Sequence, residues 1–433
     1  MKIAIIGSDI SGLTAAYYLA PRHDITVYES ASRLGGHTAT VDVDNEGESI
    51  AIDTGCIVYN DWTYPKFIEL MNEIGVSSKP TEMSFSVRCD DSGLEYGGNN
   101  INTLFAQRSN LFKPYFLSMV QDILRFNREA IEDLDNGNIS ESITLGEYLS
   151  QNGYRPAFID KYLLPMGCAI WSASTDNMIS FPLLFFARFL KNHGLLSVNN
   201  RPQWRVIEGG SRSYLAPLTQ SFKDSIKLNS NIQSVRRCDG SIELSFSVGN
   251  TAKYDHVIFA CHSDQTLGLL RDASKAERNA LTAIPYQDNE VVLHTDESLL
   301  PNRKLAWSSW NYWLRQNCQE RAVLTYNMNI PQGLNASKTY CVTLNAIESI
   351  DANKIIERFN YNHPVFSLES IGAAQKIKHI NGRNRTWLSG AYLGNGFHED
   401  GVTNGRSVAD SLNRNSLSSV KNYSSIANAL SNG

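Results

Sequence analysis

The sequence has little of what marks secreted, metal-binding or membrane-spanning proteins. Its seven cysteines, among 433 residues, are scattered, odd in number and contain no C-x-x-C pair. This argues against a disulfide framework or a thiolate zinc site and indicates a reducing compartment. Nowhere does an apolar run reach the roughly 18 residues of a membrane-spanning helix. The net charge of −5 gives no general attraction to nucleic acid, so we expect a cytoplasmic globular protein without a nucleic-acid partner.

The start of the chain carries most of a dinucleotide-binding fingerprint. Hydrophobic periodicity predicts a strand, a helix and a second strand in the runs "KIAII", "SGLTAAYYLA" and "DITVYES". Gly7 permits the tight turn between the first strand and the helix, and Gly12 permits their close packing. Glu29 ends the second strand, where an acid accepts hydrogen bonds from ribose hydroxyls. The amides at the helix N-terminus are therefore expected to bind a pyrophosphate.

Asp9 stands where the middle glycine of this G-x-G-x-x-G fingerprint belongs. Its carboxylate is expected within about 4–6 Å of the phosphates, where partly screened repulsion is worth roughly 1–4 kcal/mol. Such repulsion weakens binding by roughly one to three powers of ten. Asp9 also interrupts the N-terminal apolar run, which argues against a signal peptide. A nucleotide that is bound along a long buried path tolerates this loss of affinity. Whether the turn binds a nucleotide therefore depends on contacts from the rest of the chain.

Three further stretches follow in order. Directly after Glu29, "SASRLGGH" is a basic, glycine-bearing loop, and "DTG" ends the pair of period-two runs behind it. In the middle, "EGGSRSYLAPL" precedes the strand-like run "NIQSVRR". Near the end, "RTWLSGAYLGNGFHEDGV" is typical of a strand (385–391), a glycine-rich turn and a helix that begins near Val402. The stretches are far apart, as in a site assembled from distant parts of the chain.

These motifs resemble those of the flavin-containing amine oxidase and phytoene desaturase superfamily, and the resemblance covers about residues 1–412. The runs "YLLPMGCAIWSAS" and "NHGLLSVNNRPQWRVIEGGSR" are further similar to a bacterial subgroup of amine-oxidase-like FAD/NAD-binding proteins associated with cyclopropane and other modified fatty acids. The resemblance implies an α/β fold with a Rossmann-type FAD-binding domain and an inserted α+β substrate domain. It also implies FAD as the cofactor.

The resemblance assigns residues to FAD. The R-x-G-G loop is expected to lie over the phosphates and the ribityl chain. The closing acid–Gly–small triplet is expected to open a helix whose first amides bind the pyrimidine edge of the flavin and whose dipole stabilises the reduced ring. The strand after the middle motif contributes an adenine contact, Ile232 or Val235. The expected FAD-binding residues are Gly7, Ser11, Gly12, Glu29, Ser30, Arg33, Gly35, Gly36, His37, Thr54, Gly55, Ile232, Gly390, Asp400, Gly401 and Val402.

The distance between the motifs predicts a discontinuous FAD-binding domain. Its three parts are residues 1–60, 206–270 and 380–412. The substrate domain comprises a helix-rich insertion, 61–205, and a strand-rich insertion, 271–379. The segment 413–433, which is rich in serine and asparagine, is predicted to be a flexible tail.

The leading function is that of an FAD-dependent oxidoreductase acting on a mainly apolar substrate. A C–H bond of a fatty acyl chain, the class that the resemblance implies, would lose or receive a hydride at the flavin. A flavin amine oxidase, with a small amine held between aromatic side chains, is one alternative. A non-catalytic protein whose FAD site is impaired by Asp9 is the other. No catalytic base is identifiable, and the candidate pocket residues are Tyr392, Trp171 and Trp204.

Separate stretches of the sequence bear on metal and on membrane partners. No metal is expected, because "HED" near the end lacks a second histidine at ligand spacing. Residues 180–205 carry four cations and no acid, interleaved with aromatic residues, and 104–116 repeats the pattern. Two interpretations stay open: an ordinary solvated helical surface, or an entrance that contacts anionic membrane lipids. The oligomeric state and the electron acceptor are also left open.

Overall fold

Twenty strands and fourteen α-helices form the part of the chain that the computed structural model describes, residues 1–197, 199–315 and 323–431. The strands are β1 (Lys2–Ile6), β2 (Asp24–Tyr28), β3 (Thr40–Asn45), β4 (Glu48–Asp53), β5 (Tyr59–Asn60), β6 (Ser78–Thr81), β7 (Phe85–Cys89), β8 (Leu94–Gly97), β9 (Trp204–Ile207), β10 (Ile226–Lys227), β11 (Ile232–Cys238), β12 (Ser241–Phe246), β13 (Thr251–Tyr254), β14 (His256–Phe259), β15 (Tyr286–His294), β16 (Trp310–Leu314), β17 (Leu324–Asn327), β18 (Cys341–Leu344), β19 (Ile355–Pro364) and β20 (Thr386–Leu388).

The α-helices are α1 (Ile10–Leu19), α2 (Pro65–Glu73), α3 (Ile101–Leu104), α4 (Pro114–Asp135), α5 (Leu145–Gln151), α6 (Pro156–Phe158), α7 (Leu164–Trp171), α8 (Thr175–Ile179), α9 (Leu183–Asn192), α10 (Leu215–Thr219), α11 (Ser263–Leu269), α12 (Lys275–Thr282), α13 (Leu368–Ile380) and α14 (His398–Ser431). Seven of the α-helices, α3 to α9, follow one another between β8 and β9. No helix in the described ranges is both long and apolar enough to cross a membrane.

A five-stranded parallel sheet, in the order β10-β2-β1-β14-β20, carries the glycine turn. Its strands come from residues 2–28, 226–259 and 386–388, three distant parts of the chain. The apolar residues of β1 are buried on both faces of the sheet, which explains its uninterrupted apolar sequence. Because the strands are parallel, their carboxyl ends share one edge, and ligands bind at this edge in sheets of this kind.

The closing helix α14 begins at His398 rather than near Val402. The Phe397 amide donates to the Asp400 carboxylate (3.0 Å), while the Asp400 and Gly401 amides donate back to the Phe397 carbonyl. An acid at the third helical position thus caps the first turn and moves the start of the helix toward the N-terminus. The helix also continues to Ser431, through the segment predicted to be a tail.

A seven-stranded sheet, in the order β19-β15-β18-β17-β16-β7-β8, organises the rest of the molecule. Strand β7 from the first insertion pairs with β16 from the second, so the two insertions share one sheet. The runs "AVLTYNMN" and "TYCVTLNA" form the antiparallel neighbours β17 and β18, as predicted. The capping box of Thr144 and Glu147 begins α5, which is also confirmed.

Two helices assigned by sequence to the substrate domain pack against the parallel sheet instead. Leu281 of α12 and Ile377 of α13 lie in the same core as Val257 of β14. Their amphipathic patterns are the same whichever sheet they cover, so the sequence did not distinguish the two sheets. The unit built around the parallel sheet therefore extends beyond the predicted boundaries at 270 and 380.

The segment 180–205 buries its aromatic side chains. Phe181, Phe186 and Phe189 are almost fully buried in the core of the helical region. Lys191 forms an ion pair with Asp135, so one of the four cations is already neutralised. These three rings therefore contribute to the helical core, as in an ordinary helical surface, and contact of this segment with a membrane stays a prediction.

Candidate functional site

The glycine turn lies between β1 and α1 at the carboxyl edge of the parallel sheet. Gly7 has a φ of +106°, a conformation that other residues rarely adopt, and its amide donates to the Tyr28 carbonyl (2.9 Å). A Cβ atom on Gly7 would overlap the backbone of Ala260. A Cβ atom on Gly12 would overlap the carbonyl of Gly7. Only glycine therefore fits at these two positions of the turn.

Glu29 directly follows β2 and faces the same turn. Its carboxylate accepts hydrogen bonds from the Ser8 hydroxyl (2.6 Å), the Ser8 amide (3.1 Å) and the Ala31 amide (2.8 Å). Ser30 is exposed, and its hydroxyl adds a longer contact of 3.3 Å to Glu29. A carboxylate has about four acceptor positions, so these four contacts occupy Glu29 and fix its orientation. A ribose hydroxyl would replace the longest of them, that of the exposed Ser30.

The two candidates for an adenine contact differ in exposure. Val235 of β11 is fully buried, whereas Ile232 at the start of that strand is only partly buried. The chain just before Ile232 is tied to the Glu29 segment, because the Ser230 amide donates to the Glu29 carbonyl (2.8 Å). Ile232 is therefore the residue of the two that a nucleotide beside Glu29 can reach.

The R-x-G-G loop is held together by its own arginine. The Arg33 guanidinium donates to the carbonyls of Leu34 (3.2 Å), Gly36 (2.8 Å) and Thr38 (3.3 Å). Gly35 and Gly36 have φ angles of +102° and +52°. The guanidinium thus stabilises a loop conformation that needs its glycines, and its position over the phosphates of FAD stays a prediction.

Asp9 caps helix α1 at the place where a pyrophosphate is expected. Its Oδ1 atom accepts from the Ile10 amide (2.7 Å), and its Oδ2 atom lies 3.4 Å from His37 Nδ1. The carboxylate also fills the space in front of Gly36. Burial opposes the charge, but the hydrogen bond and charge of His37, with the charge of His398, lower the pKa of Asp9. The carboxylate is therefore ionised, and His37 is the group placed to compensate it.

A group of histidines surrounds His37, and the sequence reasoning missed most of it. The ring centroids of His262, His363 and Tyr361 lie 6.1, 5.6 and 5.4 Å from that of His37. His262 also stacks on Tyr286 at 4.1 Å. Burial lowers the pKa of His363 to about 3 and lowers the pKa of His262 as well, so both rings are neutral near pH 7. The run "ACHSD" follows β14, and its place at a parallel strand end is the signal that identifies His262.

Each of the three side chains of "HED" contacts a different part of the fold. His398 Nε2 lies 2.9 Å from the Tyr214 hydroxyl. Glu399 accepts from early amides of α2, and Asp400 accepts from the amide that precedes α14. Burial lowers the pKa of His398 to about 4 and raises that of Asp400 to about 6. Within the described ranges, no three His, Cys, Asp or Glu side chains are grouped to hold a metal ion.

The N-terminal ends of α1 and α14 lie against each other. A Cβ atom on Gly401 would lie 2.5 Å from Ile10 Cγ2, and one on Gly405 would overlap the Ser11 carbonyl. Val402 is fully buried beside them. Each helix start presents backbone amides and the positive end of the helix dipole. Two such ends at one edge suit a ligand that carries a pyrophosphate and an electron-rich ring.

Three other candidate residues support the backbone near this edge. The Thr54 hydroxyl lies 2.9 Å from the Tyr361 hydroxyl. Gly55 packs on the His37 carbonyl with no room for a Cβ atom. Gly390 has extended backbone, and a Cβ atom there would lie 2.5 Å from the aromatic ring two residues later. These residues shape the edge of the sheet through close backbone packing.

Buried polar atoms at this edge lack protein partners. His37 Nε2, His262 Nδ1 and Ser389 Oγ are buried and have no hydrogen-bond partner within the described structure. Ser389 follows β20, and its carbonyl accepts from the Ser11 hydroxyl (3.5 Å). Buried polar groups are almost always paired, so such atoms indicate a ligand. Together with the glycine cradle they fit FAD, and the Asp9 carboxylate is the feature that opposes it.

A small cavity lies beside the histidine group. Its lining includes the aromatic side chains of Trp171, Phe181 and Phe366, together with His363 and Gln287. No carboxylate lines the cavity. It therefore offers an apolar wall and neutral hydrogen-bonding groups, but no counter-charge for a cation.

The three candidate pocket residues have different surroundings, and their role in a pocket stays a prediction. Trp171 lines the cavity, and its indole nitrogen donates to the Asn395 carbonyl (3.3 Å) in the closing turn. Trp204 lies elsewhere, with its ring centroid 6.3 Å from that of His193. Tyr392 is buried in the core of the parallel sheet, and its hydroxyl has no described partner. Trp171 is thus the candidate that a substrate in this cavity would touch.

Asp53 of the "DTG" stretch predicts a measurable pH effect. It is fully buried, and its Oδ1 atom accepts from the Thr40 hydroxyl (2.6 Å) and from the amide and hydroxyl of Ser211. Burial raises the pKa of Asp53 from 3.8 to about 6. The folded state therefore binds a proton that the unfolded state releases between these values, so stability falls as pH rises through them. Asp53→Asn removes this fall.

The free energy of unfolding is measured by urea denaturation between pH 4 and pH 7. Relative to the parent protein, Asp53→Asn is expected to gain about 3 kcal/mol across this interval, whatever its baseline. Asp42→Asn on the adjacent strand is the control. Hydrogen bonding to Arg212 lowers the pKa of Asp42, so its pH trend has the opposite sign. A difference between Asp53→Asn and the parent that is constant with pH would contradict the expectation.

Comparisons with known proteins agree with this arrangement. The sequence model of the family described as flavin-containing amine oxidoreductase matches residues 10–323. The matched range begins inside the glycine turn and ends before the closing motif. No curated protein sequence matches the chain at a significant level.

Solved structures with the same fold cover nearly the whole chain. A putrescine oxidase has a TM-score of 0.66 at 13% identity, over 95% of this chain and 98% of its own. The cyclohexylamine oxidase from Brevibacterium oxydans has a TM-score of 0.65 at 14% identity, with the same coverage. The CLA-producing fatty acid isomerase from P. acnes has a TM-score of 0.65 at 17% identity, again with 95% and 98% covered. At these identities the likeness establishes the fold.

Proposed function

This chain belongs to the flavin-containing amine oxidoreductase family, and we propose that its substrate is a fatty acyl chain. It is a flavin-dependent oxidoreductase whose cofactor is FAD. When bound, FAD supplies the redox chemistry as acceptor or donor of a hydride at a substrate C–H bond. The protein contributes the glycine turn, Glu29 and the two helix N-termini, which hold and orient that cofactor.

The lining of the cavity carries the proposal. Trp171, Phe181 and Phe366 present an apolar wall that buries methylene groups favourably. An ammonium group in the same place would meet no carboxylate, and Tyr392, the residue suggested for an amine cage, lies in another core. A fatty acid isomerase among the proteins of this fold supports the assignment to acyl chains. The two amine oxidases keep a small amine as the alternative.

The neutral groups of the cavity orient the substrate and exclude water. His363 Nδ1 lies 3.0 Å from the Asn289 side-chain amide, which donates to it and leaves the proton on Nε2. Gln287 accepts a hydrogen bond from Asn177 (3.3 Å), so both side chains are held at the cavity wall. Such fixed, uncharged donors suit a carboxyl or thioester oxygen at one end of an acyl chain.

The free cysteines of the described chain support a cytoplasmic location.

Anaerobic reduction of the bound flavin tests the substrate class. We expect unsaturated and saturated fatty acids or their thioesters to bleach the visible flavin absorbance, while putrescine and cyclohexylamine leave it unchanged. Trp171→Leu is expected to slow bleaching at least about tenfold, because it removes apolar contact and opens the cavity. Trp313→Leu is the control, since Trp313 lies on β16, outside the residues that line the cavity. Bleaching by amines with inert fatty acids would replace this proposal with the amine alternative.

A further inference from the structure

An exposed apolar surface lies around α3 and the start of α4. Phe112 is 85% exposed and Ile101 is 78% exposed, both well above what a globular surface usually leaves to large apolar residues. The side chains of this "α3–α4 surface" are Ile101, Leu111, Phe112, Tyr115, Leu117 and Leu305. Leu305 belongs to this surface because its segment lies beside α3. A Cβ atom on Gly97 would lie within 3.4 Å of both Thr103 of α3 and the carbonyl of Ala306, the residue after Leu305.

The surface carries positive charge that the protein does not neutralise. Residues 96–121 contain no Asp or Glu. Arg108, Lys113 and Lys304 belong to none of the ion pairs found among the described residues. The Lys113 and Lys304 ammonium groups lie 6.0 and 4.9 Å from the rings of Tyr115 and Trp307.

The acids that flank this surface are occupied. Glu95 accepts from Arg303 (3.2 Å), and Asp122 accepts from Arg155 (2.8 Å). Glu82 accepts from the Asn99 side chain (3.2 Å). Two of these three acids are thus paired with arginines, which leaves the surface cations, Lys113 and Lys304 above all, available to an external anion.

The apolar side chains are held on a formed scaffold. A capping box of Asn100 and Thr103 begins α3. The Arg108 guanidinium donates to the Asn102 side chain (2.5 Å) and to the Phe105 carbonyl (2.9 Å), which ties the 3₁₀ turn at residues 108–112 to α3. The exposed apolar side chains thus project from a fixed backbone. No segment of the chain has to become ordered before they contact a partner.

We propose that the α3–α4 surface docks on an anionic lipid bilayer. The tips of Phe112 and Ile101 insert at the level of the headgroups, while Arg108, Lys113 and Lys304 bind lipid phosphates. The opposite face of α4 packs in the core that also contains Trp171 and Phe366, so the docking surface and the substrate cavity share one hydrophobic unit. This proposal goes beyond the substrate assignment and stands on its own observations.

The test is sedimentation of the FAD-loaded protein with vesicles. Vesicles of phosphatidylcholine with phosphatidylglycerol are compared with phosphatidylcholine alone, at low and at physiological salt. We expect binding to the anionic vesicles that weakens with salt, because screening shortens the reach of the cations to about 8 Å. Lys113→Gln with Lys304→Gln, which leaves the Arg108 hydrogen bonds to α3 intact, is expected to weaken binding about 25-fold, from roughly a fivefold loss for each cation.

Matched variants separate insertion from general exposure. Phe112→Ser is expected to weaken binding at least about tenfold. Val248→Ser removes a side chain that is equally exposed, at 85%, on the turn between β12 and β13, and is expected to leave binding unchanged. Lys223→Gln with Lys275→Gln is the charge control, since both lysines are exposed elsewhere. Flavin content is measured for every variant and is expected to stay constant.

Three results would overturn the proposal. Equal binding to both kinds of vesicle would show that the cations do not contribute to binding. Loss of binding by Val248→Ser would show that binding is not specific to the α3–α4 surface. A parent protein that dimerises in solution and becomes monomeric with Phe112→Ser, without binding vesicles, would assign the surface to a second copy of the chain. None of these results bears on flavin reduction by fatty acids, so the substrate assignment is tested separately.

Discussion

Asp9→Gly is expected to tighten FAD binding about tenfold to a hundredfold. The Asp9 carboxylate lies at the N-terminus of α1, against Gly36, where the pyrophosphate belongs. Repulsion between such charges is worth roughly 1–4 kcal/mol, reduced here by His37 and by partial exposure of the side chain. Glycine is itself an acceptable cap, so the helix loses only a few tenths of a kcal/mol. The measurement is the dissociation constant from titration of the apoprotein with FAD.

Two variants separate charge from size at this position. Asp9→Asn keeps the cap on the Ile10 amide and most of the volume but removes the charge, and it is expected to recover most of the gain. His37→Gln leaves the Asp9 charge uncompensated and is expected to weaken FAD binding. Weaker binding by Asp9→Gly would mean that the carboxylate, with His37, contributes to cofactor binding and does not oppose it.

Gly12→Ala is expected to lower the free energy of unfolding by at least about 2–3 kcal/mol and to reduce the flavin content. The added methyl group would overlap the Gly7 carbonyl and lie 2.9 Å from the Ala260 side chain, between two backbone segments that cannot move independently. The shift of α1 away from the sheet also displaces the amides that bind the pyrophosphate. Urea denaturation and the ratio of flavin to protein measure the two effects.

The same substitution in another helix supplies the control. Gly372 lies within α13, and nothing is within 4 Å of the place where its Cβ atom would be. Gly372→Ala is therefore expected to stabilise the protein by about 0.5–1 kcal/mol through helix propensity alone. Similar effects of the two substitutions would show that Gly12 is not closely packed.

The features predicted correctly from the sequence depend on local chemistry. The strand, turn and helix around Gly7 are specified by neighbouring residues, and so is the capping box at Thr144. The surroundings of Asp9 were not predictable, because His37 and Gly36 reach it through the folded loop. The start of α14 was placed too late, since the residue before it, Phe397, lacks the polar side chain that usually marks a helix start.

Two stretches that look alike in sequence differ in the burial of their aromatic side chains. Residues 104–116 and 180–205 both alternate cations with aromatic residues. Around α9 the phenylalanines face the helical core, whereas Phe112 ends a short 3₁₀ turn and faces outward. The difference arises from which neighbouring elements cover each face, and this information is tertiary.

The close packing of α14 on α1 determines when, during synthesis, α1 can complete its contacts. Gly401 and Gly405 contact Ile10 and Ser11, so the first helix of the chain finds its partner almost four hundred residues later. The strand β20 that completes the sheet is also made near the end. On the ribosome, α1 therefore lacks α14, and β14 lacks β20, until most of the substrate-binding part has emerged. A protein truncated before residue 398 should consequently leave the ribosome as a chain that chaperones hold and that FAD cannot rescue.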